Sequence, residues 1–190
     1  MNNFFCDITY NGDDFKTHKL PKGDYENCTF ANCNFKEGFI DNINFIECTF
    51  QECDLTNVNC TATIFNQVTF IGCKMIGIDF SICNPMFLNL GFTNCNLTLA
   101  NFNALELPKT NFKDCTLDQV DFSETQLKGS SIENCDLKNT VFHNTKLDSC
   151  NFSGSNYLGL DPDQNSIKKT KFDIGQLPGL LKKHDIIVAY

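Results

Sequence analysis

Large apolar residues recur at every fifth position through most of this chain, a spacing that matches neither the 3.6-residue period of a helix nor the 2-residue period of a strand. We call these positions centres. The series shifts once, by two residues, and otherwise does not miss a step. It comprises Leu20, Tyr25, Phe30, Phe35, Ile40, Phe45, Phe50, Leu55, Cys60, Phe65, Phe70, Met75 and Phe80, and then Phe87, Phe92, Leu97, Phe102, Leu107, Phe112, Leu117, Phe122, Leu127, Ile132, Leu137, Phe142, Leu147, Phe152 and Tyr157.

The position two residues before each centre is usually small or thin, and the residue directly before the centre is mostly Asn, Asp or Thr. A five-residue unit is too short to fold alone. Neighbouring units must therefore stack on one another to bury the two inward positions. The repeat predicts a solenoid.

Several of these units resemble the A-(D/N)-(L/F)-x-x unit of pentapeptide-repeat proteins, for example Cys33-Asn34-Phe35, Cys53-Asp54-Leu55 and Ala100-Asn101-Phe102. The resemblance implies an all-β fold, a right-handed quadrilateral parallel β-helix of about seven coils with a short C-terminal helical tail. The expected plan is an N-terminal cap or first coil at 1–19, the β-helix at 20–157 with a two-residue register slip at 81–87, and a C-terminal cap and dimerisation tail at 158–190.

When the centres are grouped at twenty residues per coil, residues of the same type lie above one another in successive coils. Coils about 4.8 Å apart favour such ladders, because identical shapes repeat without voids. One side would stack Leu20, Ile40, Cys60, Phe80, Phe102, Phe122 and Phe142, and the opposite side Phe30, Phe50, Phe70, Phe92, Phe112, Ile132 and Phe152.

The chain has twelve cysteines, a number that in a small secreted protein would suggest disulfides or a metal site. Ten of them occupy the small inward position, and no Cys-x2-Cys pair suggests zinc. Parallel Cβ vectors about 4.8 Å apart exceed the usual disulfide separation of about 3.5 to 4.5 Å. We expect free, buried thiols, with no metal site and no cofactor. One side would carry a ladder of Cys33, Cys53, Cys73, Cys95, Cys115 and Cys135.

Acidic residues exceed lysines by sixteen to eight within residues 20–157, and the chain contains no arginine. Direct nucleic-acid binding is therefore disfavoured, since phosphate and base contacts depend on Lys and Arg. An acidic rod indicates instead a protein partner that itself binds DNA, although a charge that only keeps the surface soluble explains the excess equally well. The candidate acidic surface comprises Asp41, Glu47, Glu52, Asp79, Asp114, Asp118, Asp121 and Glu124.

The repeat slips by two residues between Ser81 and Phe87, and Pro85 stands where the next centre is due. The slip predicts a local bulge, and recognition often concentrates at such irregularities, although a neutral insertion is the alternative. The candidate partner-binding bulge comprises Asn84, Pro85, Met86 and Leu88.

The tail from Leu158 to Tyr190 predicts a short helix entered at Pro178 and an extended apolar end. A solenoid end needs a cover, but this tail has more apolar residues than one cap requires. We therefore expect a homodimer joined through the tail, with a monomeric cap as the alternative. The candidate dimer interface comprises Leu177, Leu180, Leu181, Ile186, Ile187 and Val188.

No constellation of catalytic residues stands out. The three histidines, His18, His143 and His184, lie far apart in sequence, and the paired carboxylates Asp121 and Glu124 would lie on a flat outer wall without a cleft. No signal peptide and no membrane span is evident. We expect a non-enzymatic, cytoplasmic protein without catalytic residues.

The tail also resembles one group within the pentapeptide-repeat family, in Gly159-Leu160-Asp161, Asn165, Ile167 and the Ile-Ile-Val ending. This topoisomerase-interacting group includes the Qnr quinolone-resistance proteins, MfpA and the microcin B immunity protein. The resemblance implies a homodimer that binds DNA gyrase or topoisomerase IV, partially mimics DNA and protects against topoisomerase poisons. The chain lacks the long loops of the Qnr proteins. A scaffold or regulatory module with another cytosolic partner is the alternative.

Overall fold

The chain winds into a parallel β-solenoid with about twenty residues per coil in the computed structural model, which describes residues 3–187. Four five-residue units make one coil and give the solenoid four sides. Within the described range the strands are β1 (Asn3–Cys6), β2 (Thr9–Asn11), β3 (Gly23–Glu26), β4 (Thr29–Ala31), β5 (Asn44–Ile46), β6 (Thr49–Gln51), β7 (Ile64–Asn66), β8 (Val68–Ile71), β9 (Leu90–Thr93), β10 (Asn111–Lys113) and β11 (Ser131–Glu133).

All strand pairings are parallel, and they define the sides. Side 1 contains β1, β3, β5 and β7, continues through a bridge to Asn84, and after a gap in the bridges resumes from Glu106 to Ser166. Side 2 contains β2, β4, β6, β8, β9, β10 and β11. Sides 3 and 4 consist of isolated parallel bridges, in columns that include Asp54 and Asp121 respectively. The parallel fold expected from the repeat is confirmed.

The turns between sides place one residue in the left-handed backbone region, usually two positions after a centre. Asn27, Asn57 and Gln67 are examples, with φ of 51°, 51° and 56°. Most residue types avoid this region, and Asn and Asp tolerate it better than others. The polar outer positions of the repeat therefore serve the turn as well as the surface.

Inward residues form one continuous core, in which 26 of the 28 predicted centres are buried. Rings on the same side stack nearly parallel, and rings on adjacent sides meet edge to face. The ring centroid of Phe102 lies 4.9 Å from Phe80 and 5.1 Å from Phe122, while Phe112 approaches it edge-on at 5.7 Å. Both geometries are favourable for aromatic pairs.

The small inward positions hold thiols and hydroxyls that donate to carbonyl oxygens of the preceding coil. Cys53 Sγ donates to the Phe30 carbonyl at 3.2 Å, and Thr125 Oγ1 donates to the Phe102 carbonyl at 2.8 Å. A buried donor with a partner avoids the desolvation penalty, so Cys, Thr and Ser are interchangeable there. All twelve cysteines are free, as expected, and eleven are buried.

Two predicted centres are wrong, because Phe87 and Tyr157 point outward with 70% and 72% of their surface exposed. Asn84 pairs with Ile64 at the usual spacing of twenty residues, whereas Leu90 pairs with Val68 at twenty-two. The two additional residues therefore lie between Asn84 and Leu90, and Phe87 occupies a left-handed turn position with φ of 60°.

Regular stacking continues on both sides of residues 20–157. The ring of Phe5 stacks on Tyr25 at 4.5 Å, and the ring of Phe172 stacks on Phe152 at 5.5 Å. Beyond the last coil, the helix α1 spans Leu177–Leu180 and is flanked by short 3-10 turns at Ile174–Gln176 and Lys182–His184.

Replacing Phe102 by Ala should lower the free energy of unfolding by about 3 to 5 kcal/mol, because the deleted ring is fully buried between two stacked rings. Replacing Phe87 by Ala should change the free energy of unfolding of the monomer, measured at high dilution, by less than about 0.5 kcal/mol, because this ring lies in solvent in the single chain. Denaturant unfolding of the two variants measures both values. A large loss for Phe87→Ala would contradict the placement of the slip.

An aromatic disulfide reagent should modify one of the twelve thiols in the native protein at pH 8. Cys6 is the exposed one, whereas burial raises the pKa of Cys33 and of Cys48 to about 11 and blocks access to them. The Cys6→Ser variant should show no fast reaction, and denaturant should release all the remaining thiols. Several fast thiols in the native wild type would contradict the buried ladder.

Candidate functional site

The slip forms an outward loop on side 1, the slip loop, spanning residues 84–89. Asn84 Oδ1 accepts a hydrogen bond from the Met86 backbone at 2.9 Å, and the Leu88 backbone donates to the Pro85 carbonyl at 3.3 Å. The loop is bonded to the preceding coil, where Asn84 donates to the Thr63 carbonyl. Among the described residues, no backbone hydrogen bond joins the loop to the following coil at 104–109.

Apolar side chains surround the slip loop and form a central patch on the solenoid. Met86 is 56% exposed and Phe87 is 70% exposed. Of the predicted bulge residues, Asn84 is half-buried, Pro85 and Met86 are exposed, and Leu88 is half-buried and packs against the core. The central patch comprises Ile46, Ile64, Ile82, Met86 and Phe87, all on side 1 or its edges.

Phe87 is the patch residue that the repeat misassigned. The five-residue series makes it an inward centre, because Phe92 follows five residues later. The structure keeps Pro85 in register with Phe65 and leaves Phe87 at the turn. The one sequence signal for this arrangement is Pro85 itself, which stands at the position where the next centre is expected.

The eight candidate acidic residues do not lie on one side. Asp41, Asp79, Asp121 and Glu124 lie on side 4 or its edge, and the other four are distributed over the remaining three sides. Asp79 and Asp121 accept hydrogen bonds from the backbone of Ser81 and Ser123, so they also stabilise turns. Lys22 Nζ donates to Asp41 at 2.7 Å and lowers the pKa of that carboxyl.

Five lysines lie close together on the C-terminal half of side 1 and its edge. All five are exposed, and none forms an ion pair with another described residue. A cavity of about 410 Å³ lies among three of them, beside Asp148 and Ser166. We name them the lysine cluster: Lys109, Lys128, Lys146, Lys168 and Lys169. Because they come from four different coils, the sequence does not show them as a group.

The tail covers the last coil through one buried polar residue. Gln176 Nε2 donates to the carbonyls of Phe152 and Ser155, both at 2.7 Å, and satisfies acceptors that have no further coil to bind. Leu180 packs against the core. These contacts act as a cap within the single chain.

Other apolar residues of the tail remain exposed after capping. The predicted interface residues Leu177, Leu181, Ile186 and Ile187 all lie in solvent, and Ile187 is 98% exposed. Ile174, which the sequence did not single out, is 87% exposed. Leu180 is only half-buried, and Val188 lies outside the described residues.

Lys183 clamps the tail to the last coil through Asp161 and Asp163. Its Nζ lies 2.7 Å from Asp161 Oδ1. The pKa of Asp161 is lowered by this bond, and the pKa of Lys183 is raised by both carboxylates. The clamp is therefore complete at neutral pH, weakens as the pH falls through the lowered pKa of Asp161, and weakens at high pH only above the ordinary pKa of lysine.

The clefts of the structure do not gather catalytic groups. A cavity of about 400 Å³ lies between the tail and side 4, lined mainly by apolar residues such as Phe142 and Leu160. His143 is exposed on the outer wall and bonds Gln164 at 2.8 Å. Within residues 3–187, no group of three or more His, Cys, Asp or Glu is arranged to hold a metal ion. No helix in that range is long and apolar enough to cross a membrane.

Fold and surface together define a parallel β-solenoid whose distinctive features are exposed apolar and charged residues at the slip loop, on side 1 and in the tail. Two family models match the sequence: pentapeptide repeat region over residues 86–161, and pentapeptide repeats in eight copies over residues 43–81. The matches span 76 and 39 residues, together 115 of 190. The chain belongs to the pentapeptide-repeat family.

Solved structures of several pentapeptide-repeat proteins resemble this chain. A trypsin-treated variant of QnrB1, a plasmid-mediated fluoroquinolone resistance protein, matches 98% of this chain and 100% of its own at a TM-score of 0.63 and 20% identity. A protein from the Arabidopsis thaliana thylakoid lumen matches 58% of this chain and 76% of its own, with a TM-score of 0.46 and 26% identity. HetL from the cyanobacterium Nostoc, involved in heterocyst differentiation regulation, matches 90% and 87%, with a TM-score of 0.33 and 14% identity. No curated protein matches the sequence significantly.

The Lys183→Met variant should increase amide hydrogen exchange across residues 177–184, because the ion pairs that hold this segment are lost while the methylene chain is kept. The exchange of β10 and β11 should not change. Hydrogen exchange with mass spectrometry measures both regions, and Lys182→Met is the matched control. Equal protection in wild type and Lys183→Met would show that the clamp does not hold the tail.

Proposed function

We propose that this protein is a non-enzymatic binding protein that acts on type II DNA topoisomerase, DNA gyrase or topoisomerase IV, as a partial mimic of DNA. The main observation behind this proposal is that the chain is a predominantly acidic rod. It shares its fold with QnrB1 over 98% of this chain and 100% of the QnrB1 chain. That fold likeness is support for the proposal, since QnrB1 is a fluoroquinolone resistance protein. The resemblance of the tail to topoisomerase-interacting proteins points to the same partner.

Most of the acidic charge is available to a partner. Eighteen of the twenty-three acidic residues form no ion pair with another described residue. The net charge of −8 is spread over coils that span about 38 Å. Duplex DNA of that length carries about 22 negative charges, so the mimicry is partial. Side 4, with Asp41, Asp79, Asp121 and Glu124, is the surface we propose for contact.

Such a protein would act by occupancy alone. A protein that binds where the enzyme holds DNA lowers the fraction of enzyme engaged with DNA, and thereby the amount of drug-trapped complex. High concentrations would inhibit the enzyme itself. Both effects weaken with salt, because the attraction is between exposed charges.

The test is a DNA supercoiling assay in which the protein is titrated into gyrase with and without a fluoroquinolone. We expect rescue of supercoiling at low protein concentration and inhibition at high concentration. The Asp121→Asn/Glu124→Gln variant keeps the side-chain shapes and the turn, and should need at least about threefold more protein for the same effect. Lys113→Gln on side 2 is the matched control. Absence of any effect on gyrase and on topoisomerase IV would reject the proposal.

A scaffold with another protein partner is the second candidate, and the central patch favours it. Exposed apolar residues at mid-solenoid suit a protein surface better than they suit mimicry of DNA phosphates. A pull-down that returns another stoichiometric protein and no gyrase subunits would support this candidate, provided that the Phe87→Asp variant no longer captures that protein.

We also propose that the exposed tail pairs two copies end to end. The apolar residues that capping leaves in solvent support it, Ile187 above all. Light scattering should show a dimer that Ile187→Asp weakens.

A cytoplasmic location follows from the proposed partner and stays a prediction.

A further inference from the structure

Side 1 has nine stacked segments, and the slip loop lies at the fifth. The segments lie at residues 3–6, 23–26, 44–46, 64–66, 84–86, 106–108, 126–128, 146–148 and 166–168. We number them as levels 1 to 9. Four levels lie on each side of the slip loop, so Met86 and Phe87 are at the midpoint of this side, and the central patch extends from them to Ile64 at level 4 and Ile46 at level 3.

The two halves of side 1 carry opposite charge. Levels 1 to 4 and their turns to side 2 hold four acidic residues and no lysine: Asp7, Asp24, Glu26 and Glu47. Lys22, at the edge towards side 4, is paired with Asp41. Levels 6 to 9 hold the five residues of the lysine cluster against Glu106 and Asp148, with Glu124 at the edge towards side 4.

The charges at the two ends lack partners within the chain. Glu26 and Glu47 form no ion pair with a described residue, and the lysine cluster forms none either. Asp148, by contrast, already accepts hydrogen bonds from Ser166 Oγ and the Lys168 backbone. Side 1 is therefore an acidic half, an apolar centre and a basic half with unused charge at both ends.

We propose that two copies of this chain pack side 1 against side 1 in antiparallel orientation, with a two-fold axis through the central patch at level 5. Level n of one copy then faces level 10 − n of the other. Asp24 at level 2, which forms no ion pair with a described residue, then faces Lys146 at level 8 at the same position along the strand. Glu47 at level 3 lies diagonally opposite Lys128 at level 7. Glu26 faces Asp148, whose carboxylate already accepts hydrogen bonds from Ser166 and the Lys168 backbone. The same contacts recur on the other side of the axis, and Phe87 and Met86 meet their own copies at the centre.

A second copy fits this surface because a two-fold interface requires each surface to be its own complement. Antiparallel packing places acid on lysine at both ends, whereas parallel packing would place acid on acid. The patch supplies the desolvated centre that such an interface needs. An exposed ring at a left-handed turn position, such as Phe87, gives an isolated chain no stabilising contact.

This interface is separate from the tail. The tail lies beyond the last coil, so a chain that used both surfaces would form assemblies larger than a dimer. The test therefore uses the full chain with Ile187→Asp, which weakens tail pairing and leaves side 1 intact. We expect this parent protein to be a dimer by light scattering.

A charge exchange tests the register. One variant of the parent carries Asp24→Lys and Glu47→Lys, and the other carries Lys128→Glu and Lys146→Glu. Each alone should dimerise at least tenfold more weakly, because like charges then face each other at both ends. An equal mixture should regain the parental affinity, since each exchanged contact in the mixed dimer is again between opposite charges. Asp24 is half-buried and the other three positions are exposed, and unchanged melting temperatures will show that the folds are intact.

A zero-length carbodiimide cross-link identifies the contact directly. Glu47 and Lys128 lie four levels apart in one chain, about 19 Å, so a link between them has to join two copies. Mass spectrometry of the parent should find this link. Phe87→Asp should reduce it at least tenfold, whereas Phe39→Asp, a matched exposed aromatic on side 4, should not.

The possible results separate clearly. Restored pairing in the mixture together with the Glu47 to Lys128 link supports the proposal. A monomeric parent at all concentrations overturns it, as does a mixture that stays monomeric. Dimers that persist in both charge variants alone would assign pairing to another surface and also overturn it.

Discussion

Stacking of identical inward residues on successive coils is the interaction on which the rest of this structure depends. A parallel coil repeats its shape about every 4.8 Å, so a ring at one level presents a matching face to the ring above it. Phe80, Phe102, Phe122 and Phe142 form such a column, with centroid distances between 4.9 and 5.5 Å. Because the column carries the packing energy, the outer three positions of each unit are free to vary. The surface of this protein is therefore chemically independent of its core, and function has to be sought in where the outer residues depart from uniformity.

Two departures stand out, and both arise at places where stacking is interrupted. At the slip loop, two additional residues between Asn84 and Leu90 have no counterpart on the neighbouring coil, so apolar side chains there project into solvent. At the tail, the stack ends and Gln176 takes over the hydrogen bonds that a further coil would have made. Capping buries Leu180 in part and leaves Ile174 and Ile187 exposed. The two irregularities of this solenoid thus expose apolar side chains at its middle and at its end.

The acidic surface and the lysine cluster show that the net charge of the chain does not reveal how its charges are distributed over the surface. The chain has a formal charge of −8, which favours a basic partner and opposes direct binding to nucleic acid. The same chain groups five unpaired lysines on one half of side 1. Exposed pairs are individually weak, but a surface with several aligned opposite charges selects an orientation strongly. Whether the partner is a topoisomerase or a second copy, orientation is what this charge pattern can specify.

The sequence alone determined the solenoid and the inward position of most centres, because a five-residue unit can bury both inward positions only by stacking on its neighbours. The twenty-residue coil was what the resemblance to pentapeptide-repeat proteins implied. The sequence also predicted free thiols at the small inward positions, whereas their hydrogen bonds to carbonyl oxygens of the preceding coil emerged only from the structure. Tertiary structure decided where the slip lies. Placing the two additional residues before or after Phe87 leaves the downstream series unchanged, and only pairing with Val68 and Ile64 distinguishes the two. It likewise turned Tyr157 outward and buried Leu158 and Leu160 instead, before regular stacking resumes at Ser166. The charge pattern of side 1 was also decided by the tertiary structure, because its charges are about twenty residues apart in sequence and become neighbours only when the coils stack.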